Sequence, residues 1–287
     1  MALAVVHSLS IAPRALAEPL ARIYTRLLDL AVPRLRRVGM CNLSMALPDL
    51  SRDERASIVD GVFRSIARML VTFSRFPRLT KDNIHEWIRY EGYEHFAHSL
   101  QRGKGVLFAT AHLGNWELSA FAHSLMSAPM GVVVRPLDNP RIDKLVESRR
   151  AASGNRLIEK KDFARSILQA LKNNEAVGIL IDQNAGLDNG VFIDFFGVPA
   201  CAVVGFAKLA AHSGAAVIPG FALWSEEERK YILRFYPPLP LTGDATLDTQ
   251  ILHAQLECVI RKYPDQWLWI HRRWKTRPPG CEGLYKE

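Results

Sequence analysis

Cysteine is scarce in this chain of 287 residues: there are four, Cys41, Cys201, Cys258 and Cys281, and no two lie close together. That scatter argues against a zinc finger or ribbon and against a disulfide framework, and fits a reducing cytoplasm. Long apolar runs are lacking too. The N-terminus is apolar from Ala2 to Ala12, but it has no basic leader and is broken by His7, Ser8, Ser10 and Pro13. It falls short of the roughly 18–20 residues that a spanning helix needs. The stretch from Val203 to Trp224 is interrupted by Lys208, His212, Ser213-Gly214 and Pro219, and reads as a buried helix, a turn and a strand. No transmembrane helix and no cleaved signal peptide are expected. Nor is there an internal repeat, a low-complexity tract or a long linker, which excludes solenoids and disordered arrays.

Acidic residues are outnumbered. The 29 Asp and Glu stand against 37 Lys and Arg, for a net charge of +8. Such an excess points to an acidic counterpart: nucleic acid, an anionic membrane, or an acidic protein or phosphorylated substrate. Apolar residues are plentiful at 48%, enough at this length for one large core or a main core with a smaller helical appendage.

From Leu16 the residues Leu16, Leu20, Ile23, Leu27 and Leu30 recur at steps of four and three, with Arg22 and Arg26 off that stripe and Arg34, Arg36 and Arg37 just beyond. The pattern is a basic amphipathic helix. Either its leucines pack on the core, or they lie in the acyl boundary of an anionic bilayer with the arginines among headgroups. Asn42 to Leu50 reads as a connection. Ser51-Arg-Asp-Glu54 forms a capping box opening a helix to about Phe73, with Ile58, Val62, Ile66, Met69 and Leu70 inward. A short helix is expected near Tyr93. Beyond it strands are expected at 105–110, 131–135, 176–182, 215–223 and 231–236, and helices at 115–126, 140–153, 162–173, 203–212 and 248–262. Continuous apolar strands alternating with amphipathic helices define an α/β fold: a mixed, mostly parallel central sheet covered by helices on both faces, preceded by an N-terminal helical segment.

One apolar run ends abruptly in polar residues. Val106 to Ala111 has the composition of a buried strand, His112-Leu-Gly114 follows, and Asn115 precedes Trp116-Glu117-Leu118 as a capped helix start. His112 and Glu117 then face one turn at a strand's carboxyl end, where open α/β sheets bind their ligands. An imidazole with a pKa of roughly 6.5 accepts a proton near neutrality, and a carboxylate on its other nitrogen fixes the tautomer and stabilises the imidazolium. That is the equipment of a general base. The bland alternative is a core histidine beside a carboxylate that complements the helix dipole, and spacing alone does not choose. Two further strand ends carry polar groups: Arg135 with Asn139, and Asp182-Gln183-Asn184. Singly, Arg135 suits a surface salt bridge and Asp182 a cap, but together with His112 they suggest one crevice.

Near the C-terminus Trp267, Trp269 and Trp274 are interleaved with Arg272, Arg273, Lys275 and Arg277. We rank a surface for membrane or phospholipid-like substrate first, a packed segment with snorkelling arginines second, and nucleic-acid stacking last. No recognition helix or RNA-binding motif accompanies the run, and no nucleic-acid partner is expected.

Five separated blocks, Ala111–Glu117, Arg135–Pro140, Ile181–Gln183 with Gly190–Ala200, Ser213–Pro219 and Trp269–Pro278, together resemble the bacterial lipid A biosynthesis lauroyl/myristoyl acyltransferase family, part of the lysophospholipid acyltransferase-like superfamily, over roughly residues 40–278. The resemblance implies a glycerolipid acyltransferase-like fold. It implies transfer of a fatty acyl chain from an acyl carrier protein or CoA thioester to a hydroxyl of a lipid A precursor or similar glycolipid, without metal or cofactor. The place implied is the cytoplasmic face of the bacterial inner membrane, with peripheral attachment to its anionic surface. His112 would be the general base and Glu117 would orient it, with no acyl-enzyme. The expected substrate-binding side chains are Asn115, Arg135, Asn139, Asp182, Gln183, Arg272 and Arg273, with Arg135 suited to a phosphate or sugar acid. Backbone amides near Gly114 and Asn115 are the expected oxyanion donors. Members of the family commonly begin with an apolar anchoring helix, whereas this chain has the basic stripe from Leu16 to Leu30. We therefore divide the chain into residues 1–38, a basic amphipathic membrane-associating segment, and residues 39–287, a single acyltransferase domain. The alternatives are another glycophospholipid acceptor, such as a phosphatidylinositol mannoside, a hydrolase using the same base on water, and a non-catalytic lipid-binding protein.

Overall fold

The computed structural model, which describes residues 2–159 and 163–285, begins with α1 (Ala2–Ile11), α2 (Arg14–Ala31) and α3 (Pro33–Ala46), all packed on α4 (Arg52–Arg75). α4 starts as the sequence predicts. The Ser51 hydroxyl accepts from the Glu54 N–H at 3.2 Å and the Glu54 carboxylate accepts from the Ser51 N–H at 2.7 Å, satisfying two donors that a bare helix end leaves unpaired. At its other end Arg75 donates to the carbonyl of Ala12 at 2.7 Å, tying down the turn that follows α1.

α2 inverts the burial that its leucines would bring if they packed on the core. It buries Ala17, Ala21, Thr25 and Asp29, small residues that let two helix axes approach. Leu16, Ile23, Leu27 and Leu30 stay 56–62% exposed. The buried Asp29 carboxylate accepts three hydrogen bonds from Nε and Nη2 of Arg36, which also reaches Asp60, so the charge is not left unpaired. The expected boundary at residue 38 falls inside α3, whose Leu43 and Ala46 join the core of the α/β unit. Residues 42–46, expected as connection, are therefore its last turn. Among the described residues no helix is long and apolar enough to cross a membrane.

The remaining chain runs β1 (Ile88–Glu91), α5 (Tyr93–Leu100), β2 (Val106–Thr110), α6 (Trp116–Met126), β3 (Gly131–Val134), α7 (Pro140–Ala151), β4 (Arg156–Glu159), α8 (Phe163–Lys172), β5 (Ala176–Leu180), β6 (Gly190–Phe195), β7 (Val198–Val203), α9 (Gly205–Ser213), β8 (Ala216–Ser225), β9 (Lys230–Phe235) and α10 (Ala245–Lys262). Seven strands form one sheet in the order β1-β9-β8-β2-β5-β3-β4. Every pairing is parallel except the β8–β9 hairpin. β6 and β7 form a separate antiparallel pair. The expected start of the helix at 162 lies outside the described residues.

β2 explains why its sequence is apolar throughout. Val106 and Phe108 enter one cluster with Phe96 and Phe121, while Leu107 and Ala109 enter another with Ile167, Phe206 and Leu209. Alternate side chains thus meet helices on opposite faces, and each large side chain so buried contributes about 1.5–3 kcal/mol. The β2–β5 register pairs Thr110 with Leu180. The residues two positions further on, His112 and Asp182, therefore leave the sheet side by side.

β1, β4 and the β6–β7 pair were not anticipated. β1 and β4 are edge strands of four residues that carry Arg89, Glu91, Arg156 and Glu159, so the apolar-run signal is missing. β6 and β7 are joined by Phe196 and Gly197, both left-handed at φ 60° and 74°, the backbone of a two-residue hairpin turn. Phe196 occupies a place where Asn would be the usual signal.

Candidate active site

The centre of the site is the imidazole of His112, just past β2. Its Nδ1 lies 2.9 Å from Asp182 Oδ1, and its own backbone N–H donates to Asp182 Oδ2 at 2.9 Å. Trp267 Nε1–H donates to the same Oδ2 at 2.9 Å. Asp182 is fully buried and accepts three N–H bonds, which hold a carboxylate ionised. Burial alone would raise its pKa. The charge and hydrogen bond of His112 outweigh that, with help from His271 and Trp267, and hold the carboxyl well below the usual range. For His112 burial disfavours the imidazolium, but the Asp182 charge and hydrogen bond, with a smaller contribution from Glu117, prevail over burial and Arg150, so the pKa lies above its ordinary value. With Nδ1–H directed at Asp182, the lone pair of Nε2 is left with only a long 3.5 Å contact from the Gln183 amide, which a substrate hydroxyl can displace.

The acid that fixes the tautomer is therefore Asp182, not Glu117 as expected. Glu117 is held by Arg150, which donates from Nε and Nη2 at 2.8 and 2.6 Å. Five residues of separation place Glu117 on the first turn of α6, facing α7, while strand adjacency brings in an acid seventy residues away. Asp182 was visible in the sequence as a polar strand end. Its contact with His112 follows only from knowing that β2 and β5 are neighbours.

Several other expected substrate contacts have structural duties. Asn115 is fully buried: its side-chain oxygen caps α6 by accepting from the Leu118 N–H at 3.0 Å, and its Nδ2 donates to Thr72 at 2.7 Å. Asn139 caps α7 by accepting from the N–H groups of Arg141 and Ile142. Arg273 is fully buried, donates to the Cys201 carbonyl at 2.7 Å and lies over the Phe195 ring. Arg272 lies over the Tyr285 ring. Arg135 is exposed past β3. Gln183 does reach the centre, with its Nε2 3.5 Å from His112 Nε2. The expected oxyanion donors are occupied, since Gly114 N–H donates to the Gln266 carbonyl and Asn115 N–H to the Ala222 carbonyl. Gly114 itself is obligatory: it has φ +64°, and a Cβ there would overlap the Ala222 carbonyl oxygen.

Trp267, Trp269 and Trp274 are fully buried in the core, which overturns the ranking of that run as a lipid-facing surface and gives it the packed reading. Its function is to close the site. Residue 266 accepts from Gly114, the Leu268 N–H donates to the His112 carbonyl at 3.0 Å, and Trp267 holds Asp182.

A narrow apolar cavity of about 60 Å³ runs between the sheet and α6, separated from the imidazole by Trp116. Trp116, edge-on to His112 at 5.0 Å, and the Glu117–Arg150 pair line it together with Phe108, Met130, Gly178, Gly220 and Phe235. His123 also lines it. Burial pushes that histidine down to about 4, so it is neutral, and Tyr90 Oη lies 2.7 Å from its Nδ1. Among the described residues no cluster of three or more His, Cys, Asp or Glu side chains is arranged to hold a metal ion.

An imidazole hydrogen-bonded to a buried carboxylate, at the carboxyl ends of neighbouring parallel strands and near an apolar cavity, is compatible with acyl transfer. The comparisons agree. Residues 1–276 match the model of a family described as bacterial lipid A biosynthesis acyltransferase. A lipid A biosynthesis lauroyltransferase of Escherichia coli (strain K12) is 30% identical over 247 residues, 85% of this chain and 80% of that one. A lipid A biosynthesis palmitoleoyltransferase of the same organism is 29% identical, over 91% of this chain and 86% of the relative. A lipid A biosynthesis acyltransferase of Haemophilus influenzae is 25% identical over 87% and 78%. With its whole α/β unit inside the match, the chain belongs to the bacterial lipid A biosynthesis acyltransferase family and is an acyltransferase.

Proposed function

We propose that the protein moves a fatty acyl chain from an acyl carrier protein or CoA thioester to a hydroxyl of a lipid A precursor, with His112 as general base and Asp182 as its orienting acid. The acceptor oxygen attacks the thioester carbonyl as Nε2 takes its proton. The tetrahedral oxyanion collapses, the carbon–sulfur bond breaks, and the imidazolium returns the proton to the leaving thiolate. The observation that carries this reading is the lone pair of Nε2, backed through the ring by a carboxylate with three N–H donors. No serine or cysteine hydrogen-bonds to the imidazole among the described residues, so the acceptor oxygen is the nucleophile and no acyl-enzyme intervenes. Gln183, whose amide lies at Nε2, is the candidate donor to the oxyanion. The cavity between α6 and the sheet, about 60 Å³ as it stands, widens to take the acyl chain, and Arg135, exposed past β3, meets a phosphate on the acceptor. No metal or cofactor takes part.

We also assign the protein to the cytoplasmic face of the inner membrane as a peripheral enzyme. What supports this is α2, whose Leu16, Ile23, Leu27 and Leu30 are exposed together, with Arg22 and Arg26 on the same helix. An apolar face rimmed by arginines suits an anionic bilayer surface.

The direct test is to incubate the protein with a ladder of acyl carrier protein thioesters and a lipid A precursor, and to read by mass which lipid gains which chain. Free fatty acid formed at the full rate without acceptor would make it a hydrolase. A gain on a different glycophospholipid would move the acceptor.

A further inference from the structure

We propose that Asn184 and Thr276 are positioning residues: by fastening the chain just past β5 to the C-terminal segment, they keep the Gln183 amide at His112 for the transfer step. This role rests on the reading of Gln183 as the oxyanion donor. Asn184 follows Asp182 and Gln183 in the polar end of the strand, and takes no part in the pairing of acid and imidazole. Its side chain is given over to Thr276. Asn184 Nδ2 donates to Thr276 Oγ1 at 2.9 Å, the Thr276 N–H donates to Asn184 Oδ1 at 2.9 Å, and the Thr276 hydroxyl donates to the Ala185 carbonyl at 2.6 Å. Asn184 Nδ2 also reaches that carbonyl, at 3.0 Å. Amide and hydroxyl each act here as donor and acceptor at once, a match that few side-chain pairs supply.

Gln183 sits between two anchors. On one side Asp182 is fully buried and held by three N–H donors. On the other stands the Asn184–Thr276 pair, and beyond it residues 186–189 are exposed. Gln183 is itself exposed, and among the described residues its side chain makes only the 3.5 Å contact with His112 Nε2. So long a contact does not offset the rotamer entropy of a glutamine, and the backbone on either side therefore decides where the amide sits. A displacement of about 1 Å at a reacting group can cost about a hundredfold in rate. That is the scale on which a loosened turn acts. A pair that merely closed the tail over the α/β unit would show itself in stability and leave turnover alone.

Breaking the pair leaves both of its segments otherwise held. The Ala185 N–H donates separately to the Cys201 carbonyl at 3.2 Å. The C-terminal segment keeps the Arg273 bond to Cys201, the Trp274 N–H bond to the Tyr285 hydroxyl at 3.0 Å, and the Arg277 bond to the Pro199 carbonyl at 2.9 Å. Thr276→Val preserves the shape and the backbone N–H, and deletes only the hydroxyl that receives from Asn184 and donates to Ala185.

The test follows steady-state transfer from a dodecanoyl thioester of acyl carrier protein to a lipid A precursor, well below the melting temperature of every variant. Gln183→Ala should lower kcat by about 100-fold or more, as loss of an oxyanion donor does. Thr276→Val should lower kcat by about 10- to 100-fold with the KM for the donor unchanged, and Asn184→Ala should match it. Thr276→Ser keeps the hydroxyl and should restore most of the parent rate. Placed in Gln183→Ala, Thr276→Val should cost nothing further, since it acts through the amide alone. The pH of half-maximal activity should stay at the parent's value, because Asp182 keeps its three donors. An undiminished kcat in Thr276→Val beside an impaired Gln183→Ala overturns the positioning role and leaves the oxyanion reading standing. Full activity of Gln183→Ala removes that reading and the role together. A further loss on top of Gln183→Ala, or a displaced pH dependence, also overturns the role, since the pair would then act through Asp182 or through the fold as a whole.

Discussion

At the scale of single residues, the pairing of His112 with Asp182 separates two kinds of substitution. His112→Ala removes the base, and steady-state transfer should fall by about 100- to 10,000-fold. Asp182→Asn keeps the shape but loses the charge and the preferred tautomer, and a fall within that same range is expected. The double variant should be little worse than either, because the two act as one unit. The pH profile supplies a second readout. On the proposed mechanism the neutral imidazole is the active form, and its pKa lies above the ordinary 6.5, so activity should rise with pH through a limb displaced upward. In Asp182→Asn the groups that raise the pKa are reduced while burial remains, so the limb should move to lower pH as the plateau drops. An unmoved limb would separate Asp182 from the base. Glu117→Gln and Arg150→Ala should resemble each other, since each breaks the same ion pair. The reason the sequence pointed to Glu117 is physical: five residues is a short reach along the chain, whereas Asp182 and Trp267 arrive through sheet order and a C-terminal crossover that no local pattern encodes.

At the scale of elements, sequence periodicity carried far. All five expected strands lie within two residues of their observed bounds, because continuous apolar runs ending in Gly, Asp or Pro are hard to place anywhere but in a covered sheet. The polar edge strands β1 and β4 lack that signal. The stripe on α2 was visible as a stripe, but its direction was not, since Ala17 and Ala21 look no more like a core than Leu16 and Ile23 do. Two predictions belong here. Gly114→Ala places a Cβ against the Ala222 carbonyl at a left-handed position, and should cost about 2–3 kcal/mol, read as a melting temperature lower by several degrees. Gly178, in the middle of β5, lines the cavity beside α6, and a Cβ there meets only the flexible end of Met130 at 2.8 Å. Gly178→Val should therefore fold, and mass analysis should show its products shifted toward shorter acyl chains. An unchanged chain-length profile would place the acyl tail elsewhere.

At the scale of the whole molecule, the net charge of +8 bears on encounter and not on fold. With an acyl carrier protein thioester as donor, kcat/KM should fall about tenfold or more between low and high salt. A small uncharged thioester should show little change, and equal sensitivity of the two donors would leave charge without a part in donor choice. Another whole-molecule property follows from the strap at residues 266–268. The carbonyl of Gln266, the indole of Trp267 and the amide of Leu268 complete the turn that holds the imidazole, while the Gln266 side chain grips both the N–H and the carbonyl of Trp224. During synthesis, then, a nascent chain that ends before Leu268 would have every strand of its sheet yet an imidazole still unheld, so on the proposed mechanism it would acylate nothing until that last segment emerged.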